Sequence, residues 1–292
     1  MSKAIKGLAL NDSVRVLAID STAIVSLAQQ AHQTTPSISI ALGKVLAITS
    51  LLGMMQKNDD QVLVTINGDG LIGKIHAQFF AGNKIIGYVD NPQPNASLKD
   101  NSLQELIGSN GFLNVVYKQN LKTDYQGLVP LVSGEINEDF VYYFSLSEQI
   151  SSYVIADVIV NKEGHIICSG ALIIQLLPQA LEHDLASLNP YFAQADQLTN
   201  KLVNNQDIET IIREIFPDFK LLVEDKINFE CFCSYDNFTS KLLTLSTQDL
   251  LEIKKEKNGI EITCPWCNKK YFFTEEMIDK ILIQKEKLKS DF

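Results

Sequence analysis

Four of the five cysteines in this 292-residue chain are confined to 37 positions near its C-terminus: Cys231-Phe232-Cys233, thirty intervening residues, then Cys264-Pro265-Trp266-Cys267. Two close thiol pairs joined by a spacer that can fold back suit a tetrahedral ion, because each pair spans one edge of the tetrahedron. Zinc is the natural occupant. All four histidines (His32, His76, His165, His183) lie upstream, so the economical ligand set is Cys231, Cys233, Cys264 and Cys267, one zinc ion on four thiolates.

The spacer reads as two helices, Tyr235 to Thr244 and Ser246 to Lys255, a turn at Asn258-Gly259 and a short strand, Ile260 to Thr263. Tyr271 to Phe273 is extended again, and Thr274 caps a last helix to about Lys289. Cys264 and Cys267 therefore sit on a turn between strands, as in a zinc knuckle. Cys-Pro-Trp-Cys alone also fits the dithiol of thioredoxin-like oxidoreductases, but those start a helix at the motif so that its dipole stabilises the first thiolate. Here Asn268 to Phe273 is extended, which argues against that chemistry.

A module of roughly 65 residues has little core of its own, so a structural ion would carry much of its folding energy. Each sulfur also has a neighbour across one or two intervening residues with which it can close a disulfide on oxidation. The spacing alone is compatible with a purely structural ion and with a reversible redox site.

Upstream the chain has ample apolar residues, 46% overall, for a sizeable core. Net charge is −10; from Lys226 onward 11 basic residues balance 11 acidic ones, which places the excess in residues 1 to 225 and argues against a nucleic-acid partner there. Met1 to Leu10 lacks a signal-peptide core, and Ser37 to Gln56 is interrupted by Lys44, Thr49 and Ser50. The expectation is a cytoplasmic protein with no membrane partner, where clustered cysteines serve metal or redox chemistry.

In order, Val14 to Asp20 has strand composition and a helical pattern runs from Ser21 through Gln33. Thr35-Pro36 opens a second helix to about Lys57, apolar nearly all round and hence buried on more than one face. Gln61 to Asn67 and Ile72 to Phe80 form a hairpin, followed by strands at Lys84 to Val89, Phe112 to Lys118 and Tyr125 to Ser133. Pro92 to Asn101 reads as a polar loop. Glu138 to Gln149 is helical, and Tyr153 to Val160 with His165 to Ile174 makes a further hairpin containing Cys168, read as a small core residue.

The hairpin glycines, Gly68, Gly70 and Gly73, match a dinucleotide fingerprint and fall one residue short of a phosphate-binding loop. Both motifs need a helix directly after the glycines. The alternation Ile75, Ala77, Phe79 predicts a strand, so no nucleotide is expected. Ala180 to Leu202 and Asp207 to Ile215 are helical and rich in Gln, Asn and Asp, a connector wrapped on the main domain. The expected class is α+β: a large N-terminal α/β domain with a mixed or antiparallel sheet (1–178), a helical linker (179–225) and a small four-cysteine zinc-binding domain (226–292).

Several segments together resemble the redox-regulated 33 kDa heat-shock chaperonin family of bacterial holdases: VRVLAID followed by Ser21-Thr22, TTPSISIALGKVLA, INGDGLIGKI with GYVDNP, LVSGEINEDFVYYFSLSEQ, SGALIIQLLP, and the two cysteine pairs followed by NKKYFF. Departures are small: Gly170-Ala171 stands where the family often has two glycines, and Pro265-Trp266 is an unusual filling between the last cysteines. The resemblance implies a reduced, zinc-bound, inactive form. It implies that oxidant, usually with heat, pairs Cys231 with Cys233 and Cys264 with Cys267, releases the metal and unfolds the module and linker. The product would be a homodimeric, ATP-independent holdase for unfolded client proteins, a stress-response chaperone and not an enzyme. The rival reading is a zinc-ribbon module binding nucleic acid or protein, with Lys254, Lys255, Lys257, Lys269 and Lys270 as its basic patch; their interleaving with Glu252, Glu256 and Glu261 favours a solvated face instead.

Overall fold

Helix α2 (Pro36–Met54) shows what its composition demands. Fifteen of its side chains or glycine positions are buried, because a helix apolar all round can satisfy itself only when protein covers several of its faces. By length and composition it could cross a membrane, with mean hydropathy 1.7, yet 83% of that stretch is buried inside the protein. It is the central helix of a core. This computed structural model describes residues 1–56, 60–94, 102–118, 123–178, 188–255 and 259–290. The chain forms two compact units, Met1–Glu230 and Cys231–Phe292.

In the first unit α2 lies with α1 (Thr22–His32) on one ten-stranded sheet. Its strands are β1 (Ser2–Ala9), β2 (Val14–Asp20), β3 (Gln61–Asn67), β4 (Lys74–Phe80), β5 (Lys84–Val89), β6 (Phe112–Lys118), β7 (Tyr125–Pro130), β8 (Ser152–Val160), β9 (Ile166–Leu176) and β10 (Lys220–Phe229). They run in the order β7-β6-β3-β4-β5-β10-β1-β2-β9-β8. Every neighbouring pair is antiparallel except β5 and β10, which run parallel through Lys84 opposite Asn228 and Ile85 opposite Phe229. The sheet is thus mixed, as the sequence suggested. Alternation fixes the faces: Val62, Val64 and Ile66 of β3 and Ile75, Ala77 and Phe79 of β4 are buried in the core that α2 covers.

The glycine hairpin does a packing job. A Cβ on Gly68 would lie 1.9 Å from the carbonyl oxygen of Ile107, and one on Gly70 would lie 2.3 Å from that of Leu106. The amides of Gly70 and Ile72 donate to those same two oxygens at 2.9 and 3.0 Å. The glycines let short helix α3 (Leu103–Ile107) dock backbone to backbone, and directly after Gly73 the chain enters strand β4 rather than a helix. Of the polar loop, residues 95–101 lie outside the described residues.

Helix α4 (Ile136–Tyr143) runs into one π-helical turn, Phe144–Glu148, with Phe140, Tyr143 and Phe144 all buried. Glu148 at its end accepts hydrogen bonds from the hydroxyls of Tyr117, at 2.6 Å, and Tyr143, at 2.9 Å.

Three helices, α5 (Asn189–Ala195), α6 (Leu198–Val203) and α7 (Ile208–Ile215), cover the other face of β1, β2 and β9. Leu198, Leu202, Ile211 and Ile212 pack there against Ile5, Val16, Ala18 and Leu172. The first part of the expected helical stretch, residues 179–187, lies outside the described residues. Cys168 belongs to this core at 2% exposure; burial, with the charge of Asp20 adding to it, pushes its thiol up to about 11, so it is an unreactive packing residue.

An ionic contact ties α7 to the sheet. Lys3 of β1 donates to Asp207, the N-cap of α7, at 3.0 Å and lies 3.4 Å from Glu224 of β10. Burial opposes charge on both partners, but their contact overrides it, raising the Lys3 ammonium and lowering the Asp207 carboxyl. Asp207 therefore contributes stability above the unfolded carboxylate value of about 3.9 and loses it as pH falls through its lower folded value; Lys3 contributes below about 10.4 and loses it as pH rises through its higher folded value. Screened by solvent, the contact is worth at most about 1 kcal/mol. Lys3→Ala is expected to speed amide exchange of Ile211 and Ile212 about two- to fivefold at pH 7, and not at pH 2 to 3. Equal acceleration at both pH values would show that the ion pair is not the anchor.

Candidate metal centre

The second unit is built around its cysteines. It comprises α8 (Tyr235–Leu242), α9 (Thr247–Lys255), a two-stranded ribbon of β11 (Ile260–Thr263) and β12 (Lys270–Phe273), and α10 (Glu275–Ser290). Ser234 follows Cys233 directly and caps α8, its hydroxyl accepting from the amide of Asn237 at 3.1 Å. That cap ends the Cys231-Phe232-Cys233 segment, which has no regular secondary structure, and starts α8 directly after the second cysteine.

The other pair sits on the ribbon's turn. The Cys264 amide donates to Lys269 O at 2.9 Å, the Asn268 amide donates to Cys264 O at 2.8 Å, and Asn268 takes the left-handed φ of 59° that such a knuckle requires. No helix starts at the motif; β12 comes after it, as the sequence predicts.

All four sulfurs lie within 4.8 Å of one another. Cys231 Sγ and Cys264 Sγ are 3.8 Å apart, and Cys233 Sγ and Cys267 Sγ 3.4 Å. A tetrahedron with bonds of about 2.3 Å has sulfur edges of about 3.8 Å, so the set is compatible with zinc. The thiol chemistry asks for a cation as well. Burial, then the nearness of Cys264, drives the Cys231 thiol far above its usual range, and burial pushes Cys267 up to about 11. Burial opposes ionisation of Cys233 too, but hydrogen bonds from Tyr271 and the neighbouring thiols outweigh it and hold this one thiol below its ordinary value. With the Cys231 and Cys267 thiols both pushed up, a set of four thiolates requires a positive charge among them.

The surrounding core is small: Phe238, Leu242, Leu250, Tyr271, Phe273, Ile278 and Ile281, with Cys264 at 3% exposure among them. Tyr271 is the contact at this site that spacing arguments missed. Its ring lies 5.0 Å from those of Tyr235 and Phe238, and its hydroxyl reaches Cys233, 2.8 Å from O and 3.1 Å from Sγ. The signal for it was the alternation in β12, which turns Tyr271 and Phe273 inward and Lys270 and Phe272 out.

The lysines of the rival reading are partly spent. Lys254 pairs with Asp279, Lys270 with Glu261 at 2.8 Å, and Lys269 lies over the Tyr271 ring at 5.3 Å. Lys257 lies outside the described residues.

The family model described as Hsp33 protein matches residues 2–274. The 33 kDa chaperonin of Clostridium perfringens (strain SM101 / Type A) is 37% identical over 297 residues, covering 99% of this chain and 94% of its own length. That of Oceanobacillus iheyensis is 33% identical over 282 residues, covering 95% and 98%. The crystal structure of the 33 kDa chaperonin (heat shock protein 33 homolog) from Thermotoga maritima superposes with a TM-score of 0.86 at 28% identity, covering 98% of this chain and 99% of the other.

Proposed function

Since the chain belongs to the Hsp33 family, and is thereby a chaperone, we propose that it is an ATP-independent holdase whose activity is switched by the oxidation state of Cys231, Cys233, Cys264 and Cys267. The observation that carries the switch is the sulfur cluster itself: four thiols within 4.8 Å, inside a unit with few other buried side chains. Zinc, when bound, would hold the four sulfurs as thiolates and supply most of this unit's folding energy. In this reading residues 1–178 take unfolded clients and dimerise, 179–225 link, and 226–292 form the redox switch.

The oxidation balances without any further cofactor. One thiolate attacks a peroxide oxygen, the O–O bond breaks and hydroxide leaves, giving a sulfenic acid. The neighbouring thiolate of the same pair displaces hydroxide from that sulfur and closes the S–S bond. Two electrons pass from two sulfurs to one peroxide, and two protons complete two waters. The disulfides so formed are Cys231 with Cys233 and Cys264 with Cys267. The cytoplasm, where thiols are kept reduced, is the compartment such a switch fits.

The test measures zinc content and suppression of light scattering by a heat-unfolded client, before and after peroxide. The expected result is one zinc per chain and weak suppression in the reduced form, then metal release and strong suppression after oxidation. Equal suppression in both states removes the switch, and a retardation of DNA or RNA at moderate salt would favour the zinc-ribbon rival.

A further inference from the structure

We infer that Tyr271 is a positioning residue of the switch, its hydroxyl restraining the Cys233 sulfur so that the centre resists mild oxidant; this rests on the four-sulfur metal reading above. Three observations converge. The hydroxyl stands within hydrogen-bond distance of two acceptors on the same residue, Cys233 O at 2.8 Å and Sγ at 3.1 Å. It has one hydrogen to give. The side chain is 2% exposed, its ring held by Tyr235 and Phe238, with the Lys269 ammonium 5.3 Å from the ring centroid. And β12, paired with β11 through Ile262 opposite Tyr271, also carries the turn with Cys264 and Cys267.

The chemical consequence depends on where the electron density goes. A thiolate sulfur is a better acceptor than an amide carbonyl when it carries charge, so a metal-bound Cys233 draws the hydrogen, which withdraws density from the sulfur that peroxide must meet. Once Cys233 is in a disulfide its sulfur accepts weakly, and the same hydrogen has Cys233 O as its alternative. One side chain thus couples the charge state of a ligand to the packing of Tyr235, Phe238 and β12, the core of this unit. Metal ligands held by an outer hydrogen bond depend on it for orientation as well as reactivity.

Tyr271→Phe in the full-length reduced protein keeps the ring and removes only the hydroxyl. Zinc stoichiometry is expected to stay at one per chain, and the apparent rate of zinc release by dilute peroxide to rise about three- to tenfold, the scale of one lost hydrogen bond. In the cobalt-substituted protein the thiolate-to-metal charge-transfer band should move to lower energy, because an unrestrained sulfur gives up density more easily. A merely packing role would leave that band in place. Tyr271→Leu, which removes the ring as well, should lose metal to a competing chelator faster than Tyr271→Phe. If the Phe variant holds and releases zinc at the parent's rate with an unmoved cobalt band, the inference fails while the switch stands; if the parent binds no metal or peroxide releases none, the switch itself fails.

Discussion

With zinc on the four cysteines as proposed, stripping it from the reduced protein with a strong chelator should abolish amide protection across α8 to α10 while the ten-stranded sheet keeps its own. The argument is one of magnitude. The second unit buries Phe238, Leu242, Leu250, Tyr271, Phe273, Ile278 and Ile281 beside its cysteines, a cluster far smaller than the one beneath α2. A core of that size sustains at most about 3–5 kcal/mol. An ion on four thiolates contributes an apparent 10–16 kcal/mol, roughly three times as much, and that binding energy is also folding energy. Its removal changes the sign of the unit's stability. Cys264→Ser should do the same without chelator, since it breaks the ligand set at its most buried member. The measurement is hydrogen exchange with and without chelator at pH 7, read separately for α8 to α10 and for β3, β4 and β9. Retained protection in α10 after complete metal removal would show that the ion is not what holds the unit folded, and the redox switch would lose its mechanical basis.

Much of this architecture is legible in the sequence because its signals are local. Strands β3, β6 and β11 alternate cleanly, β2 and β5 are short apolar runs of strand composition, and α2 announces its burial by being apolar on all sides. Strands β1 and β10 escaped notice for a shared reason. Their charges, Lys3, Lys6, Glu224, Asp225 and Lys226, interrupt the apolar pattern, yet Lys3 finds Asp207 and Glu224, the Lys6 ammonium donates to Met54 O at 3.0 Å, and the Asn83 amide donates to Asp225 at 3.0 Å. Charge placed in a strand is cheap when a neighbouring element satisfies it, and no window along the chain can see that neighbour. The strand order is equally non-local: β10, late in the chain, pairs between β1 and β5. At the candidate metal centre the four cysteines could be grouped from their spacing, and the structure brings their sulfurs within 4.8 Å of one another, whereas Tyr271 needed the fold to bring its hydroxyl onto Cys233.

Gly68→Ala is expected to destabilise the first unit by about 3 kcal/mol, the upper range for forcing an atom into a filled space, and to lower its thermal midpoint by roughly 6–12 °C. The cost is not conformational, since the residue that would suffer from left-handed backbone geometry in this turn is Gly73, at φ +69°. It is spatial. The added carbon would stand 1.9 Å from Ile107 O, an oxygen that cannot retreat without stretching the bond it accepts from the Gly70 amide. Gly70→Ala should behave alike, because its new carbon meets Leu106 O at 2.3 Å and that oxygen accepts from Ile72. Gly82→Ala supplies the control: it has nothing within 4 Å and bears only a left-handed φ of +76°, a penalty of about 1–2 kcal/mol. Calorimetry on the three variants, with and without ATP, separates the two meanings of the glycine pattern. Docking of α3 predicts the order Gly68 and Gly70 well below Gly82 in thermal midpoint, with no shift on adding nucleotide; a midpoint that ATP raises in the parent and not in the glycine variants would return these residues to phosphate binding.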